Sequence, residues 1–80
     1  MTLDEALEVA KDTLKKDFPA ANTSEILNKD YLVISKYQYP ILEEKGRDYA
    51  EVYLIEFKGY SLLIDANTRE LIFIDLEKSS

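Results

Sequence analysis

Eighty residues can close one hydrophobic core, and with 46% apolar and 32% charged residues the chain has the balance of a globular domain rather than a disordered tail. It holds no cysteine and no histidine, which removes disulfides, thiolate metal sites, the commonest catalytic base and the commonest metal ligand. Sixteen acidic against ten basic residues leave a net charge of −6, which repels phosphate backbones, so direct nucleic-acid binding is not expected and a partner with a basic surface is.

Thr2 and Glu5 have the spacing of a capping box, in which the threonine hydroxyl accepts from a first-turn amide and the glutamate accepts from the cap amide. Leu3, Ala6, Leu7, Ala10, Leu14 and Phe18 recur at steps of three and four, so the spacing predicts an amphipathic helix over about 3–17. Asp4 and Glu5 at its start and Lys15 and Lys16 near its end complement the helix dipole, and Pro19 forbids continuation.

Residues 20–30 are polar and rich in turn formers, with Ile26 and Leu27 as a short strand or anchor inside a connecting loop. The aromatic and β-branched stretch from Tyr31 predicts a first strand over about 31–38, which Pro40 limits or confines to a sheet edge. Glu43, Glu44, Lys45, Gly46, Arg47 and Asp48 mark an exposed hairpin or longer loop. A second strand follows over about 48–57, with Tyr49, Glu51, Tyr53, Ile55 and Phe57 on one face and Ala50, Val52, Leu54 and Glu56 on the other. Lys58-Gly59 is a tight-turn signal, and residues 65–70 are a second turn. The strands they connect fall at about 60–65 and 70–76. Leu62-Leu63-Ile64 and Leu71-Ile72-Phe73-Ile74 are apolar on both faces, which predicts central positions, one face under the helix and the other covered by loops or a partner. Glu77 to Ser80 reads as a frayed tail. The expected fold is thus α+β: one N-terminal amphipathic helix packed on a four-stranded antiparallel β-sheet in meander order. Nothing approaches the roughly 20 apolar residues of a membrane span, and Met1 leads into an acidic amphipathic stretch, so the expected setting is the cytoplasm.

The opening from Thr2 to Lys11 resembles the start of a PepSY-type domain, whose capped helix reads t-x-e-e-A-x-x-x-A. The stretch Leu63-Ile64-Asp65-Ala66-Asn67-Thr68-Arg69-Glu70-Leu71 is similar to that family's closing hairpin, V-x-(I/V)-D-A-x-T-G-E-(V/L). Arg69 stands where the family usually has glycine, a position that often takes a left-handed conformation. The order of helix, loop, strands and closing hairpin also resembles small bacterial immunity proteins of polymorphic toxin systems. Either resemblance implies a non-enzymatic inhibitory or regulatory binding module.

Asp65, Asn67 and Glu70 alternate as oxygen ligands of a calcium loop would, but the glycine and distant glutamate of such loops are missing, so the stretch reads as an Asx-type turn and no metal or cofactor is expected. Carboxylate pairs such as Glu43 with Glu44 and Asp48 with Glu51 lie in or beside a solvated loop, where acid–base work lacks a desolvated site, so no catalytic residue is expected. Tyrosine, present six times, offers rigid apolar area with a polar tip and is enriched at interfaces. The expected contact surface comprises Tyr37, Tyr39, Tyr49 and Tyr53 around Glu43, Glu44, Asp48 and Glu51, where the Glu43 to Glu56 segment sets five carboxylates against two cations. The sequence thus points to a small acidic protein that binds and inhibits or neutralises a larger one. The alternatives are a PepSY-like regulatory or structural domain of a larger, exported protein, and a homodimer formed through the edge of the sheet.

Overall fold

The computed structural model describes residues 2–76, so the expected tail from Glu77 to Ser80 lies outside the described residues. Helix α1 spans Leu3–Asp17. Its capping box is complete: the Glu5 amide donates to Thr2 Oγ1 at 3.2 Å and the Thr2 amide donates to Glu5 Oε1 at 3.0 Å. The Thr2 amide, and then the Arg69 guanidinium, hold the Glu5 carboxyl below its ordinary pKa. At the other end Phe18 leaves the helical region, φ −136°, while its amide still bonds Leu14 O at 2.7 Å, and Pro19 follows.

Strands β1 (Ile26–Ser35), β2 (Tyr49–Phe57), β3 (Tyr60–Asp65) and β4 (Leu71–Leu76) form one antiparallel sheet in the order β1-β2-β3-β4, with a four-residue helix α2 (Ile41–Glu44) between β1 and β2. The expected helix on a four-stranded meander is therefore present. At Lys58-Gly59 the chain reverses between the paired Phe57 and Tyr60, with Gly59 at φ +85°, a conformation that a side chain disfavours.

Both faces of the sheet are packed. Ala10 and Leu14 of α1 lie on Ile55, Phe57, Leu62 and Ile64, all buried, flanked by Leu3, Leu7, Phe18 and Tyr60. On the opposite face Leu42 of α2 is fully buried against Ile34, Ala50, Val52, Leu63 and Ile72. Each such aliphatic side chain withdrawn from water contributes about 1.5–3 kcal/mol, so both layers are needed in a domain expected to hold about 4–12 kcal/mol in total.

Three expectations are corrected. The first strand runs from Ile26 to Ser35 rather than 31–38, so half of the expected connecting loop is strand, and residues 36–38 are turn. Ile26–Asp30 lacks strand character in sequence because an edge strand facing water needs no apolar alternation; pairing with β2, Lys29 against Ile55 and Asp30 against Leu54, makes it a strand. The expected loop of Glu43 to Asp48 begins inside α2, which Pro40 opens with an already helical φ of −56° and which exists to seat Leu42. The Leu71–Ile74 run is not central: β4 is an edge strand, and its apolar content comes from contributing Ile74 to one layer and Ile72 to the other across a β-bulge opposite Leu63 and Ile64.

Candidate functional site

Helix α1 lies chiefly over β2 and β3, which leaves the corner of the same face built by β1 and the start of β2 without a helix on it. Pairing of Tyr31 with Tyr53, Val33 with Glu51 and Ser35 with Tyr49 puts these side chains on that corner. Tyr31, Val33 and Tyr49 are 47%, 62% and 63% exposed and the strand register sets them together on one face; Leu27, Tyr37, Phe73 and Leu76 are exposed as well. Tyr31 and Tyr53 meet edge to face with centroids 5.5 Å apart, and the Tyr31 hydroxyl donates to the Glu51 carboxylate. That hydrogen bond raises the Tyr31 phenol above its ordinary pKa, because only the neutral phenol can donate it; desolvation and repulsion from the Glu51 charge act in the same direction. The corner is therefore a rigid aromatic and aliphatic surface with one carboxylate at its centre.

The eight residues expected at the contact surface fall in separate places. Tyr49, Glu51 and Tyr53 lie on the open corner. Tyr39 is on the opposite side, half-buried edge-on against Phe73 at 5.5 Å, where it covers the second core layer. Tyr37 stands out of the turn after β1, 86% exposed, with the Lys36 ammonium 5.7 Å from its ring centroid. Glu43 and Glu44 are exposed on α2, and Asp48 is paired with Lys36 at 3.1 Å. The cations of the same loop are engaged elsewhere, Lys45 with Glu70 and Arg47 with Asp65, so Glu43 and Glu44 keep their charge without an ion pair among the described residues. Tyr31 and Val33 were not among the residues expected at the contact surface, yet they share the open corner. The signal that could have found them is their alternation in phase with Tyr49, Glu51 and Tyr53, once the two strands are taken as neighbours.

Beside the corner, across the edge of the sheet, β1 residues Leu32, Val33 and Ile34 and turn residues Gln38 and Tyr39 line an open groove of about 430 Å³. A smaller hollow of about 170 Å³ is lined by Lys36, Glu43, Gly46, Arg47 and Asp48, whose charges are largely paired within the chain.

The stretch that alternates as a calcium loop would is an Asx turn. Asp65, the one buried charged residue among those described, accepts from the Asn67 and Thr68 amides at 2.7 and 2.9 Å through Oδ1 and from the Arg47 guanidinium through Oδ2. Burial pushes its carboxyl up, but the Thr68 amide, Arg47 and the Asn67 amide together outweigh it and hold the pKa below the usual carboxylate range. Arg69 takes φ +65°, a left-handed conformation, and its guanidinium reaches Glu5 at the start of α1.

Among the described residues no helix is long and apolar enough to cross a membrane, and no group of three or more acidic side chains is placed to hold a metal ion. Compared with known proteins, the chain matches no family model, no curated protein and no solved structure.

Proposed function

We propose that this chain is a non-enzymatic binding protein that docks on a basic surface of a larger protein and inhibits or neutralises it, with the cytoplasm as its setting. The observation that carries the reading is the open corner of Tyr31, Val33 and Tyr49 around Glu51, in a chain of net charge −6. Apolar, conformationally stiff area supplies the affinity of such contacts, and surrounding negative charge supplies steering and selection. Glu43 and Glu44 add to the steering field from α2 without touching the same patch.

The test is capture of partners from the native host by the chain and by two variants. Val33→Ser with Tyr49→Ser should abolish capture of the specific partner with the fold intact. Glu43→Lys with Glu44→Lys should leave the complex formed but slow its association and flatten its salt dependence. Capture unchanged by the Val33 and Tyr49 pair sinks the reading.

A second reading, a PepSY-like regulatory or structural domain of a larger exported protein, is favoured by the turn at residues 65–70. Its aspartate cap and left-handed residue 69 are the conformation that the glycine of the similar hairpin would serve. An upstream signal sequence in the reading frame would favour it; a free-standing frame beside a toxin would favour the first.

A further inference from the structure

β1 is an edge strand, so its outer side carries backbone groups that no strand among the described residues pairs, the Tyr31 amide being held by the Asp30 side chain. Their identity follows from one hydrogen bond: the Lys36 amide donates to Asp48 O at 2.9 Å, in register with Ser35 opposite Tyr49. Hydrogen-bonded pairs alternate along an antiparallel ladder, so Ile34, Leu32 and Asp30 are bonded to β2, and Val33, Tyr31 and Lys29 direct their N–H and C=O groups outward. The Tyr31 amide confirms the phase, since it donates to the Asp30 side chain at 2.8 Å. The same outward residues carry the side chains of the open corner, and the groove along Leu32 and Ile34 lies on the other face of the same edge.

We propose that this edge takes up an extended segment of the partner as a fifth, antiparallel strand. The proposal rests on the binding reading above and specifies how the partner is held. The chemistry of the segment follows position by position. Opposite Ile34 and Leu32 it presents aliphatic side chains to the groove. Between them, opposite Val33, it presents a basic side chain to Glu51. Opposite Asp30 it presents a second basic side chain, for which Asp30 gives up the Tyr31 amide, and opposite Lys29 an acidic one. A second copy of this chain fits less well: two chains of net −6 repel, and an antiparallel register centred on Asp30 sets that carboxylate against its twin.

The probe is a capped hexapeptide, Val-Lys-Val-Thr-Lys-Glu, titrated into the full chain and followed by amide chemical shifts and hydrogen exchange. The Lys29, Tyr31 and Val33 amides should shift and gain protection, while those of Leu32 and Ile34 are protected from the start. N-methylation of the second and fourth probe residues, whose amides face β1, should weaken binding about thirtyfold, the equivalent of two hydrogen bonds. Methylation of the first and third, whose amides face away, should change it by no more than about twofold. Absence of binding, equal loss with either methylated probe, or shifts centred elsewhere overturns the proposal. So does concentration-dependent dimerisation that protects the three outward amides without probe, because the occupant is then a second copy. Loss of partner capture in the Val33 and Tyr49 variant together with equal loss from both methylated probes leaves the binding reading standing and removes the strand alone.

Discussion

Replacing Asp65 separates the two things its carboxylate does, holding a turn and neutralising Arg47. Asp65→Ala removes three hydrogen bonds made by a fully buried charge. Breaking a buried ion pair costs about 3–5 kcal/mol when the surviving group stays dry. Here Asn67 and Thr68 are exposed and the Arg47 side chain is about one third exposed, so all three freed donors rehydrate, and the expected loss falls at the lower end, about 3 kcal/mol. Asp65→Asn keeps an oxygen for the two amides but gives up the charge and the Oδ2 acceptor of Arg47, whose guanidinium rehydrates, for about 1–2 kcal/mol. Urea unfolding reads both: with a slope of about 1 kcal/mol per molar for so short a chain, the midpoints should drop by about 3 M and about 1–2 M. The pH dependence supplies the second arm. Because the folded-state pKa of Asp65 is depressed, its contribution is complete above the unfolded aspartate value of about 3.9 and is lost as pH falls through the lower folded value. The stability gap between wild type and Asp65→Asn should therefore hold at neutral pH and close on acidification. A gap that persists at low pH, or an asparagine variant as damaged as the alanine one, refutes the assignment of separate turn and charge roles.

At Arg69 the left-handed backbone predicts that Arg69→Gly raises stability by about 0.5–1 kcal/mol in high salt, where the exposed pair with Glu5 contributes little, whereas Arg69→Val lowers it by more than about 1 kcal/mol; thermal unfolding should show shifts of opposite sign. Leu42→Ala should cost about 2–5 kcal/mol, as much as Leu14→Ala, although α2 is only one turn long, and equilibrium denaturation of the two variants compares the layers directly. Asp30→Val should free the Tyr31 amide and remove edge charge, so that sedimentation velocity detects dimers at concentrations where the wild type stays monomeric; a monomeric variant would remove Asp30 as the guard of that edge.

What could be read from the sequence divides by the range of the interaction responsible. Helix α1 was legible to its ends because the capping box, the three-four spacing and Pro19 are all local. The Lys58-Gly59 reversal and the Asx turn at Asp65 were legible for the same reason. Strand β1 was not, since Ile26–Asp30 becomes strand only through residues of β2 that follow long after it. Pro40 was readable as the end of a strand but equally opens α2, and one helical turn is too short for periodicity to announce it. The open corner was half visible: alternation placed Tyr49, Glu51 and Tyr53 together, while Tyr31 and Val33 joined them through a register that the connection from residue 36 to 48 conceals. Tyr39 was read together with Tyr49 and Tyr53, but it lies on the other face of the sheet, edge-on against Phe73, a placement that only the turn after β1 decides.

In the proposed complex the corner, the groove and the edge have to act together. Each outward backbone hydrogen bond is worth about 0.5–1.5 kcal/mol net, and Lys29, Tyr31 and Val33 offer only a few of them, whereas association costs about 4–15 kcal/mol in lost freedom before any affinity appears. Strand addition alone therefore cannot hold a partner. Apolar contact with Tyr31, Val33 and Tyr49 on one face and with the groove on the other must supply most of the difference, at about 25 cal/mol for each Å² removed from water. In the proposed complex charge acts earlier in the encounter, through Glu51 and through Glu43 and Glu44, which have no ion pair among the described residues, and its effect is on approach rather than on residence. The two kinds of variant should thus divide kinetically, with Val33 and Tyr49 substitutions accelerating dissociation and Glu43 and Glu44 reversals slowing association. A partner whose dissociation was indifferent to the apolar corner would have to be held by something other than this edge of the sheet.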